Sequence, residues 1–390
     1  MNHITVEPKR IAIIGAGPGG LTLAAILQRS GFQPVIYERE PYNMNRDRGG
    51  SLDIHEESGQ KALEAAGLLE KFKEAARYQD QNLRVIDKNG KVYIDETDDE
   101  NNWDRPEIDR GELCDLLLSA IEPNCIRYGY KLERSVLLEN GTTELHFENG
   151  STDTVDLLVG ADGAFSQVRS LISDTKVEYT GVTMVELNIL HAAERYPELA
   201  AYNGNGKMFA MGDQQVIIGQ LNGDGRIKVY VSLKVKRDWI EQSGIPFDQP
   251  LLAKQRLLEL FEDWNEMPKQ YIRCAEDRLI PRRVYMLPIG YQWKRQSGVT
   301  LIGDAAHLMS PFAGEGVNLA MLDASELAAA IIRNETIHQA IQEYEENMYA
   351  YSAEKAGVTD ESLRMMFSDN AAEKLADWMN QFAGAEHSEA

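Results

Sequence analysis

The sequence contains little of what disulfide-rich and metal-binding proteins need. Its three cysteines, Cys114, Cys125 and Cys274, are far apart and have no metal-like spacing, which argues against a disulfide framework and a structural zinc site. The seven histidines show no paired ligand spacing, so no metal site is expected. Because reduced, structural cysteines are typical of the cytoplasm, we expect a cytoplasmic protein.

Long apolar runs and an excess of positive charge are also missing. No run approaches the roughly 18–20 apolar residues of a membrane span, and the run at 11–16 is too short for a signal-peptide core. The net charge of −22 argues against nucleic acid and anionic membranes as partners, because both attract Lys and Arg. Neither nucleic acid nor a membrane is therefore expected as a partner, and the expected state is a monomer.

The chain is long enough for about two domains of roughly 100–200 residues each. It has 390 residues, 43% of them hydrophobic, and no internal repeat or low-complexity linker. Its first element reads as a buried strand at 11–14, followed by a glycine turn, a helix and a second strand at 34–38. The chain therefore begins with a complete strand–helix–strand unit, which is typical of an α/β fold.

The first motif is GxGxxG, formed by Gly15, Gly17 and Gly20. It lies between a strand and a helix, includes Pro18, and is followed by Glu38 at the end of the second strand. Glycines allow a tight turn and close approach of a pyrophosphate, and the acid can hold a ribose diol. The motif predicts a dinucleotide whose ribose at Glu38 carries no phosphate; the alternative is a glycine turn without a ligand.

Two further motifs follow buried strands. Residues 160–169, GADGAFSQVR, are either part of the same nucleotide site or an ordinary Asp-Gly turn before a serine-initiated helix. Residues 303–318, GDAAHLMSPFAGEGVN, join a strand to a long helix. Asp304 there can hold a polyol hydroxyl, and the helix start offers free N–H groups to an anion. The last motif therefore suits a redox cofactor that becomes anionic when reduced; the alternative is a generic helix cap.

These three motifs, in this order and spacing, resemble those of the class A flavin-dependent monooxygenases of the para-hydroxybenzoate hydroxylase type. The similarity runs through nearly the whole chain and is greatest to the tetracycline-inactivating subgroup. It includes the segments at 35–39, 49–55 and 106–110 as well as 303–318. In one departure from that subgroup, Asp162 stands where its members have asparagine.

The resemblance implies non-covalently bound FAD, with NADPH or NADH as the co-substrate. Glu38 would hold the adenine ribose, with Arg39 beside it, and Arg110 and Asp304 would contact the linking portion. Asp53 would lie near the flavin, and Arg46 would serve the nicotinamide donor. A solvated loop arginine is the alternative for Arg46, and a helix-end salt bridge for Arg110. The flavin ring would be lined by the segment 311–318, which includes Pro311, Gly314, Gly316, Val317 and Asn318.

The substrate would contact Pro311 and Phe312 together with strands carrying Glu186, Met208, Ile218 and Lys228. The subgroup holds the polar edge of tetracycline with a glutamine and a histidine, at positions that align with Glu186 and Lys228. These two residues therefore either bind a different polar edge or form a cross-strand pair. The substrate is expected to be aromatic or polycyclic.

The expected fold is α/β, with a Rossmann-like FAD-binding domain, a β-rich substrate domain and C-terminal helices. The FAD-binding domain is predicted at 1–80, 105–172 and 284–333, the substrate domain at 81–104 and 173–283, and the helical segment at 334–390.

The implied reaction hydroxylates a phenolic or enolic multi-ring compound with NAD(P)H and O2 through a flavin C4a-hydroperoxide, and tetracycline is one possible substrate. No side chain is assigned as a catalytic acid or base, because the cofactor carries the chemistry; His307 is expected to be structural. The alternatives are an FAD-dependent reductase or oxidase without oxygen insertion, and a flavoprotein that only sequesters a ligand.

Overall fold

The computed structural model describes residues 9–42, 49–96 and 105–386. The chain divides into two compact units. Unit 1 comprises Met1–Ala76, Arg110–Glu178 and Tyr285–Thr359; unit 2 comprises Arg77–Asp109, Tyr179–Val284 and Asp360–Ala390. The predicted C-terminal helical segment does not form a unit of its own, since the division falls at Thr359 inside a long helix.

The strands are β1 (Ile11–Ile14), β2 (Val35–Glu38), β3 (Ser51–Asp53), β4 (Asn82–Asp87), β5 (Val92–Glu96), β6 (Glu107–Asp109), β7 (Ile126–Tyr128), β8 (Leu132–Leu137), β9 (Thr143–Phe147), β10 (Thr152–Val155), β11 (Leu157–Gly160), β12 (Glu178–Ile189), β13 (Gly206–Gly212), β14 (Gln215–Leu221), β15 (Ile227–Lys234), β16 (Ile280–Met286) and β17 (Val299–Leu301). The α-helices are α1 (Pro18–Arg29), α2 (Lys61–Ala66), α3 (Leu69–Ala75), α4 (Arg110–Leu118), α5 (Arg169–Ile172), α6 (Ala192–Arg195), α7 (Pro197–Asn203), α8 (Trp239–Gln242), α9 (Pro250–Glu259), α10 (Glu266–Arg273), α11 (Asp304–His307), α12 (Glu315–Arg333), α13 (Ile337–Met366) and α14 (Ala371–Glu386). The mixed α/β class with C-terminal helices is confirmed.

Unit 1 is built on a five-stranded parallel sheet in the order β17-β11-β1-β2-β7. Its central strand, β1, is entirely apolar and buried, as expected for a strand with helices on both faces. The chain moves from β1 toward β2 on one side, and β11 and β17 add on the other. This change of direction is a topological switch point, and ligands of open α/β sheets bind beyond the carboxyl ends of the strands at such a point.

Helix α1 leaves the first glycine turn and packs against α12. Pro18 occupies its first turn, where a missing N–H costs nothing. A side chain on Gly19 would lie 2.9 Å from the carbonyl oxygen of Ala320, so this glycine lets the two helices approach closely. The turn after β1 is thereby held in place by the long helix of the last motif.

The sequence over 56–75 has helical periodicity and predicts one helix, but the structure interrupts it. It consists of a five-residue π-helix (Glu56–Gln60), then α2, and after a break α3. The break is at Gly67, which adopts φ +73°, a left-handed conformation that favours glycine. Helical periodicity continues across such a residue in the sequence, which is why the pattern alone predicts one helix.

Unit 2 is built on a seven-stranded mixed sheet in the order β16-β12-β15-β14-β13-β4-β5. The Asn89-Gly90 pair between two apolar runs is typical of a β-hairpin, and β4 and β5 form one there. One face of the sheet is apolar and packs against α7, α9 and α10. Its core includes Val185, Ile217, Val231, Leu257 and Tyr271, all fully buried. The polar side chains of the central strands therefore lie on the opposite face.

Candidate functional site

Three turns of unit 1 follow the neighbouring strands β1, β11 and β17 and so lie at one edge of the parallel sheet. The first holds the glycine motif. Gly15 has φ +108°, and a side chain there would contact the carbonyl oxygen of Ala161, in the turn after β11. A side chain on Gly20 would contact the carbonyl oxygen of Gly15. The chain itself therefore requires Gly15 and Gly20.

Gly17 is different, because a side chain added there meets no atom of the chain within 4 Å. Its φ of −83° is open to any residue. The fold therefore gives no reason for a glycine at this position, whereas a ligand approaching the backbone closely does. This open space at the start of α1 fits the pyrophosphate that the motif predicts.

Glu38 ends β2 beside the first turn, and its side chain is held rigidly. One carboxylate oxygen accepts from the backbone N–H of Ala16 at 2.9 Å, and the other accepts from that of Glu40 at 2.9 Å. Each carboxylate oxygen can accept more than one hydrogen bond, so a ribose diol can still bind there. Arg39 is mainly exposed, with its guanidinium 3.4 Å from Glu40.

The turn after β11 is organised by Asp162. Its carboxylate accepts from the Ser166 hydroxyl at 2.5 Å and from the backbone N–H of Gln167 at 2.7 Å. Burial raises the pKa of Asp162, and these hydrogen bonds oppose that rise. Asp162 therefore stabilises the turn of the second motif through these hydrogen bonds, in the way an aspartate stabilises an ordinary Asp-Gly turn before a helix.

Arg169 was not selected from the sequence, although it ends the second motif. It is buried, and its guanidinium donates to the carbonyl oxygens of Ala164 at 2.6 Å and Ala305 at 3.0 Å. Burial lowers its pKa. The only sequence signal was an arginine at the start of a short helix, which usually faces solvent. Here it ties the turn after β11 to the turn after β17.

The turn after β17 begins with Gly303, at φ +60°, and leads to Asp304. The carboxylate of Asp304 is exposed, yet burial by the surrounding chain raises its pKa, while Arg110, His307 and Arg169 oppose that rise. Arg110 and Asp304 are far apart in sequence but near enough in the fold for the Arg110 charge to act on the Asp304 carboxylate.

The last motif forms a short 3-10 helix at Pro311–Ala313, a left-handed Gly314 and then α12. Pro311 and Gly316 are exposed, and Phe312, Gly314 and Val317 are partly exposed. A side chain on Gly314 would lie 3.2 Å from both carboxylate oxygens of Asp53. The structure therefore brings Asp53 to the start of α12, where the first N–H groups of the helix lack intrahelical partners.

Asn318 differs from the expectation for a residue that lines a ring. It is fully buried, its amide donates to the Asp53 carbonyl at 2.9 Å, and its amide oxygen accepts from the His55 backbone N–H at 2.9 Å. Its side chain therefore fastens the end of β3 to α12 and positions Asp53. His55, beside it, was missed in the sequence; its imidazole is buried and lies 3.4 Å from the Asp53 carboxylate.

The predicted substrate residues of unit 2 do not all share one face of its sheet. In the register, Ile218 is opposite Phe209 and Tyr230, and Tyr230 is opposite Glu186. Met208 is opposite Gly219, one residue out of step, and lies in the apolar core. The expectation that Met208 contacts substrate is therefore wrong, because neighbouring residues of a strand point to opposite faces. Phe209 is its counterpart on the face of Ile218.

Glu186 and Lys228 lie on that second face as diagonal neighbours. The Lys228 ammonium is 3.7 Å from one Glu186 oxygen, and the Arg282 guanidinium is 2.5 Å from the other. Lys228 is 2% exposed, and Gln220 lies opposite it on β14. The cross-strand pair expected as one alternative is therefore present, and Arg282 and Gln220 are polar neighbours that the sequence did not indicate.

Arg46, expected to serve the nicotinamide donor, lies outside the described residues. Within residues 9–42, 49–96 and 105–386, no group of three or more His, Cys, Asp or Glu side chains could hold a metal ion. In the same part of the chain, no helix has both the length and the apolarity that a membrane span requires.

The chain is similar to known flavoproteins over most of its length. Residues 9–355 match the FAD binding domain family. The monooxygenase penA of Penicillium thymicola is 32% identical over 94% of this chain and 98% of its own. A solved structure, a putative FAD-containing monooxygenase of Photorhabdus luminescens, is 25% identical, with a TM-score of 0.77 over 92% of this chain and 98% of that one.

A tetracycline destructase, Tet(55), has a TM-score of 0.74 over 98% of this chain and 96% of its own at 21% identity. At that identity the similarity shows a shared fold alone. The family match, by contrast, covers all three turns at the edge of the unit 1 sheet. The chain accordingly belongs to the FAD binding domain family and is an FAD-dependent monooxygenase of class A.

Proposed function

We propose that the chain uses NADPH or NADH, FAD and O2 to insert one oxygen atom into an electron-rich aromatic or enolic ring. The observation that carries the proposal is the open space at Gly17, between two glycines that the chain needs for its own packing. It fits the pyrophosphate of a dinucleotide on the turn after β1. Bound FAD, reduced by the nicotinamide donor, supplies the chemistry that activates O2.

The side chains of unit 1 bind and orient that cofactor. Glu38, fixed by two backbone N–H groups, accepts from the adenosine ribose. Asp304 would accept from hydroxyls of the linking portion, and Arg110 opposes the rise that burial causes in the pKa of that carboxylate. The start of α12 and the residues Pro311, Gly314 and Gly316 would hold the flavin ring, and the N–H groups of the helix would stabilise negative charge there.

The substrate binds at the second face of the unit 2 sheet. Ile218 and Phe209 supply apolar surface, and Glu186, Lys228 and Gln220 supply polar groups. Binding sites for flat organic ligands combine a mainly apolar lining with a few placed polar groups. Tetracycline is one candidate, supported by the motif resemblance and by the fold shared with Tet(55). Glu186 and Lys228 favour another polycyclic substrate just as well.

The experiment is product analysis with purified protein, isotopically labelled O2, and NADH or NADPH in turn. The substrate panel contains phenolic and enolic polycyclic compounds, tetracyclines among them. A product heavier by one labelled oxygen, formed in proportion to the nicotinamide consumed, is the expected result. Consumption of NADH or NADPH without an oxygenated product from any compound of the panel would identify a reductase or oxidase instead. Tight binding of a panel compound without consumption of NADH or NADPH would identify a sequestering flavoprotein.

A further inference from the structure

A buried carboxylate lies behind the turn that carries Asp304. Asp323, on the third turn of α12, has no exposed surface. One of its oxygens accepts from the backbone N–H of Gly303 at 2.6 Å and lies 2.7 Å from Nε2 of His307. Its other oxygen accepts from the Tyr351 hydroxyl at 2.5 Å. The carboxylate thus contacts both ends of the Gly303–His307 turn and the neighbouring helix α13.

We propose that Asp323 and His307 are positioning residues for Asp304, and that they keep its carboxylate directed outward and ionised to bind the hydroxyls of FAD. The proposal rests on the cofactor role proposed for Asp304. Asp323 sets the direction of the turn through Gly303, which precedes Asp304. His307, held by Asp323, places a positive charge behind Asp304.

The geometry favours a charged His307. Burial, the largest single influence, lowers the pKa of His307, but Asp323, Asp304 and a backbone hydrogen bond together outweigh it, so the pKa is raised. Burial and the Asp323 charge hold the pKa of Tyr351 far above its ordinary value. Tyr351 is therefore a permanent donor that does not titrate in the same range as His307.

Several other charged and titratable groups lie near Asp304, His307 and Tyr351 and affect the pKa values of these residues. Burial raises the pKa of Asp304, while Arg110, His307 and Arg169 oppose the rise. On α13, Tyr344 is buried with its pKa raised, and on α12, Glu326 acts on Tyr351. Since Arg110 and Arg169 keep their charge at all relevant pH values, His307 is the cation toward Asp304 that can lose its charge.

A pH-dependent signature follows. FAD binding should weaken at low pH, as Asp304 takes up a proton and stops accepting from hydroxyls. Removing the His307 charge raises the pKa of Asp304, because a nearby positive charge stabilises a carboxylate. The acidic limb of the affinity profile should then move to higher pH. A role in packing alone would weaken binding equally at every pH.

The experiment measures the FAD dissociation constant of the apoprotein from quenching of FAD fluorescence, between about pH 5 and 9. The variants are His307→Gln, Asp323→Asn and Tyr351→Phe, with His338→Gln as the matched control because His338 is exposed on α13. His307→Gln leaves the Asp323 charge without its cation and should move the acidic limb to higher pH. Asp323→Asn removes the negative charge together with the group that keeps His307 charged, so its acidic limb should move less. Tyr351→Phe and His338→Gln should leave it in place, since both charges remain.

The variant Asp304→Asn distinguishes the positioning role of Asp323 and His307 from the cofactor role proposed for Asp304. That variant should lose the acidic limb altogether; an unchanged limb would overturn the cofactor role of Asp304. If Asp304→Asn abolishes the limb but His307→Gln leaves its midpoint unmoved, the positioning role alone is overturned. Should Asp323→Asn fail to fold, His307→Gln compared with His338→Gln decides by the same criterion.

Discussion

Among single residues, Gly17 offers the most direct test of cofactor binding. In Gly17→Val the new Cβ has no atom of the chain within 4 Å, so the apoprotein should keep its melting temperature. The same side chain would occupy the space proposed for the pyrophosphate, so FAD affinity should fall by more than about a hundredfold, or about 2.7 kcal/mol. Calorimetry of the apoprotein measures the melting temperature, and FAD titration measures the affinity.

Gly20→Ala is the natural comparison for Gly17→Val. Its new methyl group would collide with the carbonyl oxygen of Gly15, so this variant should lose stability even without cofactor. A Gly17→Val protein that binds FAD normally would refute the assignment of this turn to the pyrophosphate. So would a preparation that retains FMN but no FAD.

Asp304 should matter for FAD and not for the stability of the apoprotein. The pKa of Asp304 is higher in the folded than in the unfolded protein. Asp304 therefore stabilises the fold at pH values below its unfolded pKa of about 3.9, and this contribution is lost as the pH rises through its folded pKa. In Asp304→Asn at neutral pH, the free energy of unfolding of the apoprotein should therefore not fall. FAD affinity should fall about ten- to a hundredfold through loss of a charge-assisted hydrogen bond. Urea unfolding of the apoprotein and FAD titration measure the two effects, and an equal loss in both would indicate a structural residue.

Among the elements, the junction of β3 with α12 depends on one side chain. Asn318→Ala would remove the partners of the Asp53 carbonyl and the His55 N–H. Leaving buried backbone groups unpaired costs about 1–3 kcal/mol each. The free energy of unfolding of the apoprotein should therefore drop, and FAD should bind more weakly because Asp53 is released. Asn124→Ala, at an exposed position, is the control and should change neither; unchanged apoprotein stability in Asn318→Ala would contradict the role given to this junction.

The two faces of the unit 2 sheet give a second test at this scale. If Lys228 binds substrate, Lys228→Ala should lower the ratio of oxygenated product to nicotinamide consumed or raise KM. Met208→Ala, on the core face, should instead cost about 2–5 kcal/mol of stability and leave the ratio unchanged. Product analysis beside nicotinamide consumption measures both, and an unchanged ratio and KM in Lys228→Ala would remove Lys228 from the substrate site.

For the whole molecule, the contribution of the His307–Asp323 pair to stability should depend on pH in a defined direction. The pKa of His307 is raised in the fold, so the pair stabilises fully below the unfolded value of about 6.5. That stabilisation is lost as the pH rises through the folded pKa. The difference in free energy of unfolding between the wild type and His307→Gln should therefore shrink from pH 6 toward alkaline pH. Urea unfolding across this range measures it, and a difference that grows with pH would contradict the charged pair.

The sequence predicts the parts of the site that depend on spacing along the chain. The turn after β1, Glu38 and the start of α12 follow from glycine placement and from the order of strand and helix. Met208 could not be placed, because a shift of one residue in register exchanges the faces of a strand. Arg169 and Asp323 could not be found either, because their partners lie in another part of the sequence. Arg169 contacts the later turn at Ala305, and Asp323 contacts the earlier turn at Gly303.

The position of β17 in the chain also determines when the protein can first bind its cofactor during synthesis. The strands β1 and β11 are complete by Gly160, but the third strand at the switch point ends at Leu301, and the cofactor segment runs on to Asn318. Most of unit 2 must leave the ribosome in between. The nascent chain therefore carries a glycine turn without its partners for most of translation, and fragments that end before residue 299 should not retain FAD.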